Sequence, residues 1–250
     1  MLILKILLFS LFLFQVSAKK VLIDPGHGGE DCGAKAKIWK KKRLKIVCEK
    51  DIALSIAKKI KSYIENNSSH SAYLTRLIDK TISLQKRSEL ADTIKADIFI
   101  SIHLNASEIK SSHGFETYYL DNHDDVAIKK IENVENADRN IEKVIINQIL
   151  ASLVVERVAP SSKELGKLVH HQISNAIEKK YSMKDRGLKP GLFYVLALSK
   201  RPSILLEAAF LTNSKEAQKA RTRKFQEQYS KAVATGIIKY LDKGKDPDLF

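Results

Sequence analysis

Asp97-Ile98-Phe99-Ile100-Ser101-Ile102-His103-Leu104 is the clearest β-strand in the sequence, an apolar run of strand length rich in β-branched residues. Ahead of it, Leu84–Ile94 reads as a helix and Ala72–Thr75 as a short strand. Asp51–Glu65 reads as an amphipathic helix, with Ile52, Ile56, Ile60 and Ile64 recurring every four residues. Lys20–Asp24 (KVLID) is a further strand, stopped by Pro25-Gly26. Beyond residue 104, Phe115–Leu120 (FETYYL) is strand-like, and helical periodicity runs over Ile141–Val155, Glu164–Lys180 and Ser214–Leu241. The apolar runs Gly191–Leu198 and Ser203–Leu206 are of strand length. Asn213 with Glu216 gives the last helix a capping box, and Gly244 closes it. This alternation predicts an α/β fold: one domain on a mixed, mostly parallel sheet flanked by helices.

The composition agrees with a single core. Of 250 residues 44% are hydrophobic and 29% charged, with 10 Gly and 5 Pro, which excludes disordered, collagen-like and disulfide-framework classes. No Pro/Gly/Ser-rich linker divides the chain, and no fixed-period repeat suggests a solenoid. Residues 1–18 read as a secretory signal peptide: Lys5, the apolar run Ile6–Phe14, then Val16-Ser17-Ala18 with cleavage after Ala18. The segment carries Lys5 and no acid, so its removal takes the net charge from +14 to +13. An exported, periplasmic or cell-envelope protein of that charge meets anionic lipids and wall polymers rather than nucleic acid. No membrane span should remain after cleavage, and a monomer is expected. The densest cationic run, Lys35 to Lys45 around Trp39, could grip an anionic polymer but reads rather as a mobile surface loop. Cys32 and Cys48 fit a disulfide and two free thiols equally well.

In open α/β sheets, functional groups gather at the carboxyl ends of strands. His27 follows the first strand among glycines, Glu49 sits just before the first turn of the Asp51–Glu65 helix, His103 ends DIFISI, and Glu207 ends Ser203–Leu206. Two imidazoles and one carboxylate make a catalytic zinc shell with room for water, and a second carboxylate outside it supplies a general base. His27, Glu49 and His103 fit the first role and Glu207 the second, a set able to hydrolyse an amide. Taken singly, a histidine after a strand is more often a packing residue, and a glutamate at a helix start commonly just favours the dipole. Glu207 resists that reading, because an acid between Ile-Leu-Leu and Ala-Ala-Phe is seldom buried without a partner. His70, His113 and His123 lie in polar loops, and His170 and His171 are adjacent on a helix, so none joins this group.

Five stretches, in order, carry a resemblance: Val21-Leu22-Ile23-Asp24-Pro25-Gly26-His27-Gly28-Gly29, Glu49-Lys50-Asp51-Ile52-Ala53-Leu54, Thr75-Arg76, Ser101-Ile102-His103-Leu104-Asn105-Ala106, and Pro202 through Asn213. Together they resemble the zinc-dependent N-acetylmuramoyl-L-alanine amidases over nearly all of residues 20–241. The resemblance implies a peptidoglycan substrate, cut at the amide between N-acetylmuramic acid and the L-alanine of the stem peptide. It also implies Zn2+ on His27, Glu49 and His103, with Glu207 as the catalytic glutamate. Asn105 would support the shell and Arg186 would contact substrate. Residues 121–163 resemble an insertion found in the cell-division branch, where an added helix covers the site until an activator protein removes it. Glu135 would then occupy the metal's open position. Cys32 and the basic stretch depart from the usual pattern of relatives. A zinc peptidase acting within the stem peptide, or a silent wall-binding module, are the alternative functions.

Overall fold

The structure, a computed structural model, describes residues 18–40, 43–136 and 141–243. Apart from Ala18, the expected signal segment lies outside the described residues, as do Lys41, Lys42, Ala137, Asp138 and Gly244. In chain order the elements are β1 (Lys20–Pro25), β2 (Lys35–Lys40), β3 (Arg43–Cys48), α1 (Glu49–Asn67), β4 (Ser71–Leu74), α2 (Leu84–Thr93), β5 (Ile98–Asn105), β6 (Phe115–Leu120), α3 (Val126–Glu135), α4 (Ile141–Tyr181), β7 (Asp185–Gly191), α5 (Tyr194–Ser199), β8 (Ser203–Phe210), α6 (Ser214–Ala220) and α7 (Arg223–Asp242). Six strands form one sheet in the order β4-β1-β5-β8-β6-β7. β4, β1, β5 and β8 run parallel, and β6 pairs antiparallel with β8 while β7 runs parallel to β6.

Side-chain alternation divides this sheet into two faces. Val21, Ile23, Ile98, Ile100, Ile102, Ile204 and Leu206 pack with Ile52, Ile56 and Ile60 of α1, Val169 and Ile173 of α4, and Phe225, Tyr229 and Val233 of α7. Leu22, Phe99, Tyr118 and Leu205 point the other way, onto Ala91 of α2, Ile128 of α3, Val155 and Val158 of α4, and Leu196 of α5. The strand ends on this second face carry Asp24, Ser101, His103, Asn105, Glu116 and Glu207, all buried. One face thus starts apolar and finishes polar, and the polar end builds the site.

Several elements differ from the sequence reading. Gly191–Leu198 is not a strand. Its start completes β7, and Tyr194–Ser199 is a helix with every side chain buried, a case in which an apolar run cannot distinguish helix from strand. Ile141–Val155 and Glu164–Lys180 are one helix running through Pro160. Ser214–Leu241 is two helices. Asn213 caps α6 by accepting from the Lys215 and Glu216 amides, and Thr222 then caps α7 by accepting from Phe225. The basic segment is an ordered hairpin, β2 paired antiparallel with β3, and a Cys32–Cys48 disulfide closes its base. His70 is buried, not solvated in a loop, and its Nδ1 accepts from the Lys19 amide. His123 is likewise paired, its Nε2 lying 2.6 Å from Glu132 Oε1.

Candidate active site

The turn after β1 sets the first of the candidate side chains. His27 adopts φ 56°, an uncommon conformation for a residue with a side chain, and two buried arginines hold the surrounding carbonyls. Arg76 donates to Pro25 O (3.0 Å) and Gly26 O (2.8 Å), and Arg87 donates to Pro25 O (2.9 Å) and His27 O (2.7 Å). Arg87 also pairs with buried Asp24 at 2.5 Å, and Thr75 and Ser101 hydroxyls donate to the same carboxylate. Burial alone would raise the pKa of Asp24, but Arg87 and the Thr75 hydroxyl outweigh it and hold it below 3.8. Glycine is required beside this turn. A Cβ on Gly26 would lie 2.5 Å from His103 Nε2, so the ring packs flat against bare backbone.

His27, Glu49 and His103 converge. Glu49 is the first residue of α1 and its carboxylate is fixed by two amides: Ala34 donates to Oε2 (2.7 Å) and Leu104 to Oε1 (2.8 Å). Glu49 Oε1 lies 3.2 Å from His27 Nε2 and 3.0 Å from His103 Nδ1. Glu135, the last residue of α3, brings Oε2 to 3.2 Å from His103 Nδ1 and 3.7 Å from His27 Nε2. Both ring nitrogens are buried and neither is aligned for a hydrogen bond. The His27, His103 and Glu135 donor atoms all lie within 4.8 Å of one another. Ligand atoms ~2.0–2.2 Å from a tetrahedral metal stand roughly 3.3 Å apart, and the separations of Glu49 and Glu135 from the two ring nitrogens, 3.0 to 3.7 Å, are of that size. On His27, burial opposes a charge, but Glu49, then Glu135 and Asp31, outweigh it and lift the imidazole to about 10. The pocket therefore favours a cation among its carboxylates. Asp31 Oδ2, 2.7 Å from His27 Nδ1, orients the ring from behind.

Strand register brings the fourth residue in. Glu207 on β8 is the direct partner of His103 on β5 and of Glu116 on β6. It is buried, and its Oε2 has no hydrogen-bond partner among the described residues. Burial first, then the charges of Glu49, Glu135 and Glu116, push its pKa well above the usual carboxylate range. Asn105 donates through Nδ2 to buried Glu116. Glu116 also accepts from Arg186 Nε (3.2 Å) and Lys189 Nζ (2.5 Å), and the Arg186 guanidinium lies 5.0 Å over the Phe210 ring. Asn105 and Arg186 thus meet through Glu116. A cavity of about 1260 Å³ connects these groups, with α3 along one wall through Lys130, Ile131, Val134 and Glu135.

A buried pair of imidazoles facing carboxylates at strand ends occurs in many hydrolases, and family comparison narrows the choice. Residues 21–239 match the model of the N-acetylmuramoyl-L-alanine amidase family. The chain belongs to this family. It is 32% identical over 232 residues to the amidase AmiC of Escherichia coli, covering 90% of this chain and 53% of AmiC. It is 31% identical to AmiA of the same species, covering 88% of this chain and 75% of AmiA. The chain spans about half of AmiC and 36% of the amidase LytC of Bacillus subtilis. Among solved structures, an amidase from Clostridium difficile 630 superposes with TM-score 0.67 at 31% identity, covering 90% of this chain and 98% of the other. CwlD of Clostridioides difficile, solved with the lipoprotein GerS, gives 0.66 at 28% identity, covering 90% and 98%.

Within this amidase fold the sequence reading overlooked three residues that shape the site. Glu116 sits in an aromatic strand between β8 and β7, and the argument that singled out Glu207, an acid inside an apolar run, applies to it equally. Asp31 is four residues after His27, a spacing with no signal of its own. Arg87 lies on α2, where an arginine ordinarily faces solvent, yet it is buried under the His27 turn.

Proposed function

We propose that the chain is a zinc-dependent peptidoglycan hydrolase that cleaves the amide between N-acetylmuramic acid and the L-alanine of the stem peptide. The observation that carries this reading is the pair of buried, unbonded ring nitrogens of His27 and His103 facing Glu49 Oε1, with Glu207 in register beside His103. His27 Nε2, His103 Nδ1 and Glu49 would hold the ion. Bound there, zinc supplies Lewis acidity, lowering the pKa of water toward ~7 and polarising a carbonyl. Glu207 takes a proton from the attacking water as its oxygen bonds to the lactyl carbonyl carbon. As the carbon–nitrogen bond breaks, Glu207 returns that proton to the leaving nitrogen, which departs as the free α-amine of L-alanine. Asp31 holds the His27 ring in one tautomer, and the Arg87 and Arg76 bonds keep the turn in place. Asn105 and Arg186, joined by Glu116, line the substrate side.

In this reading α3 is an autoinhibitory cap within the 121–163 insertion, with Glu135 as a fourth ligand where water must enter. Displacement by an activator protein would relieve it. Residues 1–18 would direct export, and the Cys32–Cys48 bond suits the oxidising cell envelope. Incubating purified sacculi with wild-type, Glu135→Ala, Glu207→Ala and chelator-treated protein tests the proposal by mass spectrometry. Intact stem peptides with a free N-terminal alanine are expected from Glu135→Ala, more than from wild type, and from neither control. Fragments cut inside the stem, or none from Glu135→Ala, would contradict it.

A further inference from the structure

The β2–β3 hairpin stands apart from the main sheet. Ala36 and Ile38 anchor one face in the core. On the other face the register pairs Lys35 with Cys48 and Lys37 with Ile46, and Leu44 lies on the same side two residues before Ile46. A ribbon packed on one side ordinarily turns polar residues outward. β3 does the reverse, presenting Leu44 and Ile46, 50% and 55% exposed, while Arg43 and Lys45 take the alternate positions and are exposed as well. Residues 35–48 carry seven cations and no acid, and the disulfide fixes the base.

We propose that the outward face of this ribbon docks on the surface of an anionic phospholipid bilayer. Leu44 and Ile46 would enter the interface, and Lys35 and Lys37, on the same face, would pair with headgroup phosphates, their long stems lying along the apolar boundary. The two aliphatics select this partner. A soluble polyanion is satisfied by charge alone and gains nothing from outward Leu44 and Ile46, and a second copy of a chain at +14 is repelled. No helix among the described residues is long and apolar enough to cross a membrane. The inference does not depend on the hydrolase reading, because vesicle binding needs neither metal nor substrate.

Vesicle co-sedimentation of the purified chain tests it, using phosphatidylcholine vesicles with and without roughly 30 mol% phosphatidylglycerol. Trp39 is the sole tryptophan, so a blue shift of its emission reports directly on the ribbon. Binding is expected only with phosphatidylglycerol, accompanied by the blue shift. Leu44→Ser/Ile46→Ser, which keeps every charge, should weaken it roughly tenfold. Lys35→Glu/Lys37→Glu should abolish it with both aliphatics in place, and thermal melts confirm that each variant is folded. Failure of the wild type to sediment, or sedimentation of either variant at the wild-type level, would overturn the proposal. So would inorganic polyphosphate binding that matches vesicle affinity and is indifferent to Leu44→Ser/Ile46→Ser, since charge alone would then account for the surface.

Discussion

Glu49 and Glu135 approach the same two imidazoles from different regions of the molecule, and they are held there by different means. Glu49 opens α1, whose Ile52, Ile56 and Ile60 are sealed in the main core, and two backbone amides fix its carboxylate. Glu135 closes α3, where Ile128 is the sole buried apolar residue among the described side chains, and Val126 and Val134 are 69% and 70% exposed. What seats α3 is a polar clip. Asn136 donates to Leu192 O (2.8 Å) and accepts from Tyr194 N (2.7 Å), and Glu132 accepts from the Leu192 amide while pairing with His123. The carboxyls respond oppositely. Burial would raise Glu49, but His103 and His27 hold it well below the usual range; burial raises Glu135, and the imidazoles do not reverse it. A carboxylate built into the core is fixed there, whereas one carried by a clipped helix depends on a few hydrogen bonds.

The largest effects should come from the fixed half. Glu207→Ala is expected to lower hydrolysis of sacculi about 10³-fold with the thermal melt unchanged, the usual scale for removing a general base. Equal activity would show that the buried acid is structural. Asp24→Asn should cost ~3–5 kcal/mol in urea unfolding, because it strands buried Arg87. Since the folded pKa of Asp24 lies below its unfolded value of 3.8, its contribution is full above that value and is lost as pH falls through the folded pKa. Melts of the wild type should therefore drop below pH ~4 more steeply than those of Asp24→Asn. Cys32→Ser/Cys48→Ser should cost roughly 3 kcal/mol, as expected for a closed loop of this length. On the cap the sign reverses. Asn136→Ala removes two hydrogen bonds worth ~0.5–1.5 kcal/mol each, so basal activity should rise about fivefold to a hundredfold without loss of the main transition. A fall in activity would mean that α3 assists rather than blocks.

Much of this was legible in the residues. β1 and β5 announce themselves as apolar runs ending in a histidine or a glycine turn, and parallel strands place such ends together, so His27, His103 and Glu207 could be grouped before any coordinates. Glu49 followed because a helix start beside strand ends is close to them. The hidden parts are those where burial removes periodicity or where the partner is distant in sequence. α5 is buried all round and reads like a strand, and Arg87 looks like a surface residue until the 60-residue reach to the His27 carbonyl is seen. The hairpin escaped notice because consecutive lysines suggest a solvated loop, while its strands are fixed by Ala36 and Ile38 underneath.

His27, Glu49 and His103 are expected to hold one metal without help from Glu135 or Glu207. Zinc content of purified variants tests this most directly. About one zinc per chain is predicted for wild type, Glu135→Ala and Glu207→Ala, and almost none for His27→Ala, Glu49→Gln and His103→Ala, each judged folded by its melt. Zinc retained by folded His27→Ala or His103→Ala, or lost from Glu135→Ala as completely as from Glu49→Gln, would contradict the assignment.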